Sequence, residues 1–311
     1  MAPRPREFIA RLTPYEWEAM AGEVAALARR LGVTADQVVV TCGADEALFL
    51  LASAYLGPER SAVVPDPSFS MFRVVTEAVG ARLIKVPLDA DWNVPLEALL
   101  AAVGDPSVGV VWLCSPNNPT GRLLSPDLVA AVLEAAPDVV VAVDEAYAEI
   151  SGESLAPLIL GAPNGVLVRT FSKGYGLAGA RVGYLVGAPD VTRAIESIRL
   201  PQNLTAFGIA AACRAFEDQA GLAERVAAII GERERLEAEL RRRGWDVVPS
   251  AANFALGRPP QAAAEVAAWL QGAGLIVRSY PGHPRLDDWL RVTVRAPEED
   301  DRLLRRLDAL H

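Results

Sequence analysis

The alternation of short valine-rich runs with helical segments constrains this chain most strongly. Seven apolar runs lie between residues 38 and 187, and several are apolar at every position, which is typical of strands covered by helices on both faces. These predicted strands are VVVT (38–41), AVVP (62–65), RLIKV (82–86), GVVWLC (109–114), VVVAV (139–143), VLVRT (166–170) and VGYLVG (182–187). The pattern predicts an α/β fold with three layers, α/β/α, around a mainly parallel sheet.

Segments with helical periodicity fill the gaps between these runs. They cover residues 45–56, 70–80, 95–104 and 125–136. Beyond residue 200 the rhythm changes, with a long helix predicted over 206–243 and then shorter strands. These later strands are predicted at 246–249, 253–257, 275–280 and 289–295. We therefore expect a large domain formed by residues 31–200, and a second, smaller α/β domain formed by residues 1–30 and 201–311.

Composition removes several classes of function. Hydrophobic residues make up 51% and the net charge is −9, so we expect a globular protein that binds neither nucleic acid nor a membrane surface. The three cysteines (Cys42, Cys114 and Cys213) form no CxxC pair, and the chain has two histidines, His283 and His311. A zinc site, a disulfide framework and a histidine triad are not expected. No signal peptide or membrane-spanning run is recognised, so the cytoplasm is the expected location.

Four polar loops follow predicted strands of the first domain. They are CGADE (42–46), SPNNPTG (115–121), DEAY (144–147) and TFSKGYGLAGARVGY (170–184). In an open parallel sheet, ligands bind beyond the carboxyl ends of the strands, so these loops are expected to converge on one crevice.

The residue types in these loops point to a particular chemistry. Lys173, with Arg181 eight positions later, suggests a Schiff-base lysine beside an anion site. Asp144 ends a buried strand, where it remains ionised only opposite a cation such as a protonated pyridine nitrogen. The helix N-terminus that follows Cys42 offers free N–H groups to a phosphate. Together these features match the requirements of pyridoxal phosphate.

At this point the sequence resembles a known family. SPNNPTG, DEAY and TFSKGYGLAGARVGY resemble signatures of the fold-type I pyridoxal-phosphate aminotransferases of classes I and II. The resemblance is greatest to the histidinol-phosphate aminotransferase branch, which SAANFAL (250–256), GLIVRSY (274–280) and WLRVTVRAPEED (289–300) also match. It implies a homodimeric enzyme that moves an amino group between an amino-acid donor, usually glutamate, and a 2-oxo acid or phosphorylated ketone.

The resemblance also implies roles for individual residues. Lys173 would bind the cofactor aldehyde and shuttle the substrate proton, and Asp144 would pair with the pyridine nitrogen. Asn118 and Tyr147 would hydrogen-bond the phenolic oxygen of the ring. The phosphate would be held by Gly43, Ala44, Asp45, Thr170, Ser172 and Arg181. Phe69 would stack on the ring, and Arg291, Asn118 and Arg278 would contact substrate.

Simpler explanations exist for some of these positions. Asp144 could cap the following helix, Phe69 could be a core aromatic, and Arg291 could be an outward strand arginine. Tyr15 could match a family tyrosine that reaches the neighbouring subunit's phosphate, although its context, TPYEW, differs.

Three departures from the family pattern affect the substrate more than the cofactor. The N-terminal residues contain no Asn-Glu-Asn-Pro type segment, Ala44 replaces a common serine, and Phe69 replaces a common tyrosine. Phenylalanine at that position also suits the related threonine-phosphate decarboxylases. A decarboxylase of an O-phospho amino acid and a non-catalytic protein of this fold therefore stay as alternatives. A nicotinamide dehydrogenase is disfavoured because no GxGxxG follows the first strand.

Overall fold

A computed structural model describes residue 22 and residues 24–310 of the chain. Tyr15 lies outside the described residues. The first continuous element is helix α1 (24–31), which packs Leu27 and Ala28 into the main core.

In the described part of the chain, seven strands form one sheet in the order β1-β7-β6-β5-β4-β2-β3. The strands are β1 (Val38–Thr41), β2 (Ser61–Asp66), β3 (Arg82–Pro87), β4 (Val108–Cys114), β5 (Val140–Asp144), β6 (Gly165–Thr170) and β7 (Gly183–Gly187). From β6 to β3 all neighbours are parallel, whereas β7 runs antiparallel to both β6 and β1. The predicted mainly parallel sheet is confirmed, and each predicted strand lies within about two residues of the observed one.

Helices cover both faces of this first sheet, which explains why its central strands are apolar throughout. One face packs against α2 (Gly43–Tyr55), α3 (Ser70–Ala78) and α8 (Pro189–Ile198). The opposite face packs against α1, α4 (Leu96–Val103), α5 (Pro126–Ala135) and the short α7 (Ala156–Ile159). A further short helix, α6 (Ala148–Ser151), follows β5. The α/β/α layering is therefore as predicted.

The C-terminal part forms a second, four-stranded sheet in the order β10-β11-β9-β8. Its strands are antiparallel and comprise β8 (Asp246–Val248), β9 (Phe254–Arg258), β10 (Arg278–Ser279) and β11 (Leu290–Thr293). Residues of α10 (Gln219–Arg242), α11 (Ala263–Gln271) and α12 (Pro297–Asp308) pack with this sheet in a separate apolar cluster. The domain limits at residues 31 and 200 stay a prediction.

The prediction of a single helix over 206–243 is wrong. The structure has two helices, α9 (Ala206–Glu217) and α10, that meet at Asp218. The Asp218 carboxylate accepts the backbone N–H of Gly221 at 2.9 Å and so caps a new helix. Apolar periodicity continues across such a junction, which is why the sequence pattern did not predict it.

Candidate active site

Loops at the carboxyl ends of the parallel strands and side chains of the second sheet enclose a cleft of about 560 Å³. The predicted site residues that line it are Ala44, Asp45, Phe69, Asn118, Asp144, Tyr147, Thr170, Ser172, Lys173, Arg181, Arg278 and Arg291. Gly43 borders the same place, because a Cβ atom added to it would lie 2.5 Å from Nη2 of Arg181. The structure thus brings all the predicted site residues together.

Asp144 is the last residue of β5 and is only 3% exposed. Its Oδ1 accepts the backbone N–H of Ala146 at 2.9 Å. Burial raises the pKa of this carboxyl group to about 7, with the Ala146 hydrogen bond and Lys173 acting against the rise. A cation placed at this carboxylate would relieve that cost, so Asp144 is suited to a cationic ligand.

Lys173 lies three residues beyond the end of β6, the strand that pairs with β5. Its Nζ atom is 5.5 Å from the centroid of the Tyr147 ring. Burial and then the nearby charge of Arg291 lower the pKa of the lysine amine. A lowered pKa increases the neutral, nucleophilic fraction of a lysine.

Arg291 connects the second sheet to the loop after β4. Its Nη1 donates a hydrogen bond to Oδ1 of Asn118 at 2.5 Å, and its guanidinium carbon lies 5.0 Å from the ring centroid of Phe254. The Nε atom of Arg291 is buried and has no partner among the described residues. An anion entering the cleft could complete the hydrogen bonding of this guanidinium.

A small cradle lies where α2 begins. Gly43 has φ +77° and Arg181 has φ +55°, both in the left-handed region, and the guanidinium of Arg181 lies directly against Gly43. Nη2 of Arg181 contacts Oδ2 of Asp45 at 3.1 Å. Nearby, the hydroxyl of Thr170 donates to the hydroxyl of Ser172 at 2.9 Å. Backbone N–H groups, two hydroxyls and a guanidinium are the donor set that a phosphate requires.

Arg278 and Arg291 are directly opposite each other in the antiparallel pair β10–β11. Residues opposite each other in such a pair point to the same face, and like charges in this arrangement repel. Both arginines line the cleft. Their register therefore favours an anion between them.

These residues fit pyridoxal phosphate. The missing Cβ of Gly43 lets the guanidinium of Arg181 lie against the start of α2, where it can serve a phosphate together with the backbone N–H groups. Asp144 offers a buried carboxylate to a pyridine N–H, and Lys173 offers an amine to the aldehyde. Among the described residues no cluster of metal-binding side chains occurs, and no helix has the length and apolar character needed to cross a membrane.

Comparison with known proteins agrees with this geometry. The family model for aminotransferases of class I and II matches residues 10–307. The chain belongs to this family. The described residues form a seven-stranded sheet between helices, and the chain resembles a solved pyridoxal-phosphate aminotransferase in structure, so the fold predicted from the sequence is confirmed.

Two similar sequences and one similar crystal structure belong to named aminotransferases. A histidinol-phosphate aminotransferase of Pseudomonas aeruginosa is 38% identical over 290 residues, which are 92% of this chain and 80% of that protein. An aromatic amino acid aminotransferase of Mycobacterium bovis is 39% identical over 291 residues, covering 90% of this chain and 80% of its own length. The crystal structure of histidinol-phosphate aminotransferase from Sinorhizobium meliloti in complex with pyridoxal-5'-phosphate has a TM-score of 0.87 at 29% identity. It covers 100% of this chain and 89% of that one.

Sequence reasoning missed several residues that line this aminotransferase cleft. Cys114 is the register partner of Asp144, and burial followed by the charge of Asp144 raises its pKa. Tyr280 follows β10, and the guanidinium carbon of Arg278 lies 5.8 Å from the centroid of its ring. Asp66 and His283 meet at the cleft, with Nε2 of His283 3.7 Å from Oδ2 of Asp66. Only the two-residue alternation around Arg278 gave a signal in the sequence.

Proposed function

We propose that this protein is a pyridoxal-phosphate-dependent aminotransferase of the histidinol-phosphate branch. It transfers an amino group between an amino-acid donor, with glutamate as one partner, and a 2-oxo acid or phosphorylated ketone. The convergence of Lys173, Asp144 and Arg181 in one cleft carries the proposal. When bound, pyridoxal phosphate supplies an aldehyde that exchanges amines and a ring that withdraws electrons from the substrate α-carbon.

Lys173 binds the aldehyde and then moves the proton at the substrate α-carbon. Its lowered pKa, caused by burial and then by Arg291, supports both tasks, because each needs a neutral amine. In that role the Lys173 amine would lie beside the substrate α-carbon, so proximity would favour it over any base from solvent.

Asp144 holds the proton on the pyridine nitrogen. In the cofactor-free protein, burial raises the pKa of the Asp144 carboxyl group to about 7. A cationic ring N–H beside the carboxylate would lower this pKa. Asn118 and Tyr147 donate to the phenolic oxygen of the ring. Since a guanidinium has only donors, Oδ1 of Asn118 must face Arg291, which leaves its amide NH₂ group free to donate.

The cradle at Gly43 holds the phosphate. Arg181, Ser172 and Thr170 supply side-chain donors, and Ala44 and Asp45 supply backbone N–H groups at the start of α2. Phe69 flanks the ring.

Arg291 and Arg278 bind the anionic groups of the substrate. The Nε of Arg291, buried and without a partner among residues 24–310, and the direct opposition of the two guanidiniums support this role. Two such groups favour a phosphorylated substrate over a purely aromatic one, because a phosphate can satisfy both guanidiniums.

We further infer a cytoplasmic homodimer, the arrangement in which the resembling aminotransferases share their sites. Two large apolar side chains support an interface: Leu200 and Phe207 are 70% and 75% exposed.

The decisive experiment uses an unusual property of this chain, which contains only two lysines, Lys85 and Lys173. Borohydride treatment of the protein with pyridoxal phosphate should fix the cofactor on the peptide that contains Lys173, as read by mass spectrometry. Lys173→Ala should abolish this adduct, and the matched variant Lys85→Arg should retain it. An adduct on Lys85, or none, contradicts the proposal.

The substrate is tested by single-turnover spectroscopy of the bound cofactor. Histidinol phosphate and glutamate should each convert the cofactor absorbance, and an aromatic amino acid should do so more slowly. Release of carbon dioxide from O-phosphothreonine would instead favour the decarboxylase alternative. A normal adduct with no response to any donor would indicate a non-catalytic protein.

A further inference from the structure

The connection between β10 and β11 is held against the first sheet by Arg285. Its Nη1 donates hydrogen bonds to the carbonyl oxygens of Leu88 at 2.5 Å and Asp89 at 2.7 Å. The guanidinium carbon also lies 4.2 Å from the ring centroid of Trp92. Charge-assisted hydrogen bonds and a cation–π contact on one side chain make this a strong tertiary contact.

The turn that receives Arg285 is braced. Oδ1 of Asp89 accepts the backbone N–H groups of Asp91 at 2.9 Å and Asn93 at 2.8 Å, and the Asp89 N–H donates to the Asn93 carbonyl at 2.9 Å. Trp92 has φ +66°, which is unfavourable for a bulky residue and persists only where the surroundings enforce it. The receiving surface is therefore preformed.

An apolar cluster spans the same junction. Leu88 and Trp92 lie in the turn after β3 of the first sheet. The other members of the cluster belong to the C-terminal part of the chain and are Val248, Leu256, Leu286 and Trp289. The rings of Trp92 and Trp289 meet edge to face, with centroids 5.1 Å apart. We call Arg285, Trp289 and the turn 88–93 the Arg285 clasp.

The clasp lies next to the two arginines of the cleft. Residues 280–289 join the strands that carry Arg278 and Arg291, and Leu256 of the apolar cluster is the register partner of Arg291 on β9. Because the two opposed guanidiniums repel each other, their alignment depends on how firmly this backbone is held. The contact of His283 with Asp66 lies on the same connection, at the cleft.

We propose that Arg285 is a positioning residue, and that the clasp fixes the distance between the arginines of the second sheet and the cofactor-binding residues of the first. The inference rests on the proposed substrate role of Arg291 and Arg278. Losing binding that is equal in the ground state and the transition state raises KM without lowering kcat, so a clasp remote from the chemistry can still control substrate binding.

The test compares Arg285→Met and Arg285→Lys in the cofactor-loaded enzyme. For Arg285→Met we expect the KM for the amino donor to rise about tenfold and kcat to change less than about threefold, because ground-state positioning is lost rather than chemistry. Amide hydrogen exchange in residues 280–289 should accelerate, whereas the borohydride adduct on Lys173 should be unchanged. Arg285→Lys, which keeps a charged donor, should recover part of the KM.

Arg295→Met is the matched control, because the exposed ion pair of Arg295 with Glu299, at 2.8 Å, lies outside the clasp. Arg295→Met should leave KM and the exchange of residues 280–289 unaltered. Should Arg285→Met fail to fold, Asp89→Ala loosens the receiving turn at an exposed position and should change KM and exchange in the same direction.

The outcomes separate the two proposals. If the wild-type enzyme forms no adduct on Lys173, the proposed function fails before the clasp is tested. If the adduct forms and Arg285→Met or Asp89→Ala leaves KM and hydrogen exchange unchanged, the clasp proposal is overturned. A fall in kcat at constant KM would also overturn it, since that would place Arg285 in the chemical step.

Discussion

Asp144 and Glu145 are consecutive carboxylates with opposite surroundings. Both are buried, at 3% and 1% exposure. Glu145 accepts hydrogen bonds from Nη2 of Arg169 at 2.7 Å, from the hydroxyl of Ser154 at 2.9 Å and from the N–H of Leu155 at 2.5 Å. Asp144, by contrast, faces the cleft with its pKa raised to about 7 by burial.

The difference separates structure from function. A buried charge that serves the fold is paired within the chain, because an unpaired one would cost several kcal/mol. A buried charge that serves a ligand is left incomplete until the ligand binds. Glu145 with Arg169 belongs to the first class, whereas Asp144, Lys173 and the Nε of Arg291 belong to the second.

The largest expected effect comes from removing the charge of Asp144. Asp144→Asn should lower kcat about 1,000-fold, equivalent to about 4 kcal/mol of lost stabilisation of developing charge, because an amide cannot keep the pyridine nitrogen protonated. The unfolding free energy of the cofactor-free protein should not fall. Steady-state kinetics and urea denaturation measure the two quantities, and a variant with a normal rate would contradict the role assigned to Asp144.

Arg169→Met should have the opposite profile. Removing the partner of Glu145 leaves a buried unpaired carboxylate, so we expect a loss of about 3–4 kcal/mol in the free energy of unfolding. Arg193→Met is the control, since the exposed Arg193–Asp190 pair at 2.9 Å should contribute less than about 1 kcal/mol. Equal losses of unfolding free energy in Arg169→Met and Arg193→Met would contradict the structural role assigned to the Glu145–Arg169 pair.

Much of this contrast was predictable from the sequence, because it depends on residues that directly follow predicted strands. Asp144 and Lys173 follow buried parallel strands, whose ends must meet at one edge of the sheet, so their convergence follows from the strand pattern alone. The Arg285–Leu88 contact joins positions 197 apart, and no local pattern predicts it. The helix break at Asp218 and the antiparallel β7 were also missed, because they depend on capping and on tertiary pairing rather than on apolar period.

The pH dependence of the unfolding free energy gives a further test of the surroundings of Asp144. The pKa of Asp144 in the folded, cofactor-free protein is about 7, above its ordinary value of 3.8, so the folded state holds a proton that the unfolded state has lost. Stability should therefore fall as pH rises from about 4 through 7. Relative to Asp144→Asn, the wild type should lose about 2–4 kcal/mol by pH 8, and pyridoxal phosphate should abolish this difference. Parallel pH–stability curves for the two proteins would place the raised pKa elsewhere.

The smallest expected effect is at the phosphate cradle. Gly43→Ala places a methyl group 2.5 Å from Nη2 of Arg181 at a residue with φ +77°, so the guanidinium must shift and the backbone is strained. Pyridoxal phosphate should bind about tenfold more weakly, equivalent to about 1.4 kcal/mol, whereas Gly57→Ala, at a glycine whose added Cβ meets nothing within 4 Å, should leave its affinity unchanged. Fluorescence titration with pyridoxal phosphate and with pyridoxal distinguishes the cause. Because pyridoxal lacks the phosphate, its affinity should be the same for Gly43→Ala as for the wild type. If Gly43→Ala instead weakens the binding of both ligands equally, the defect lies in the fold rather than in the cradle.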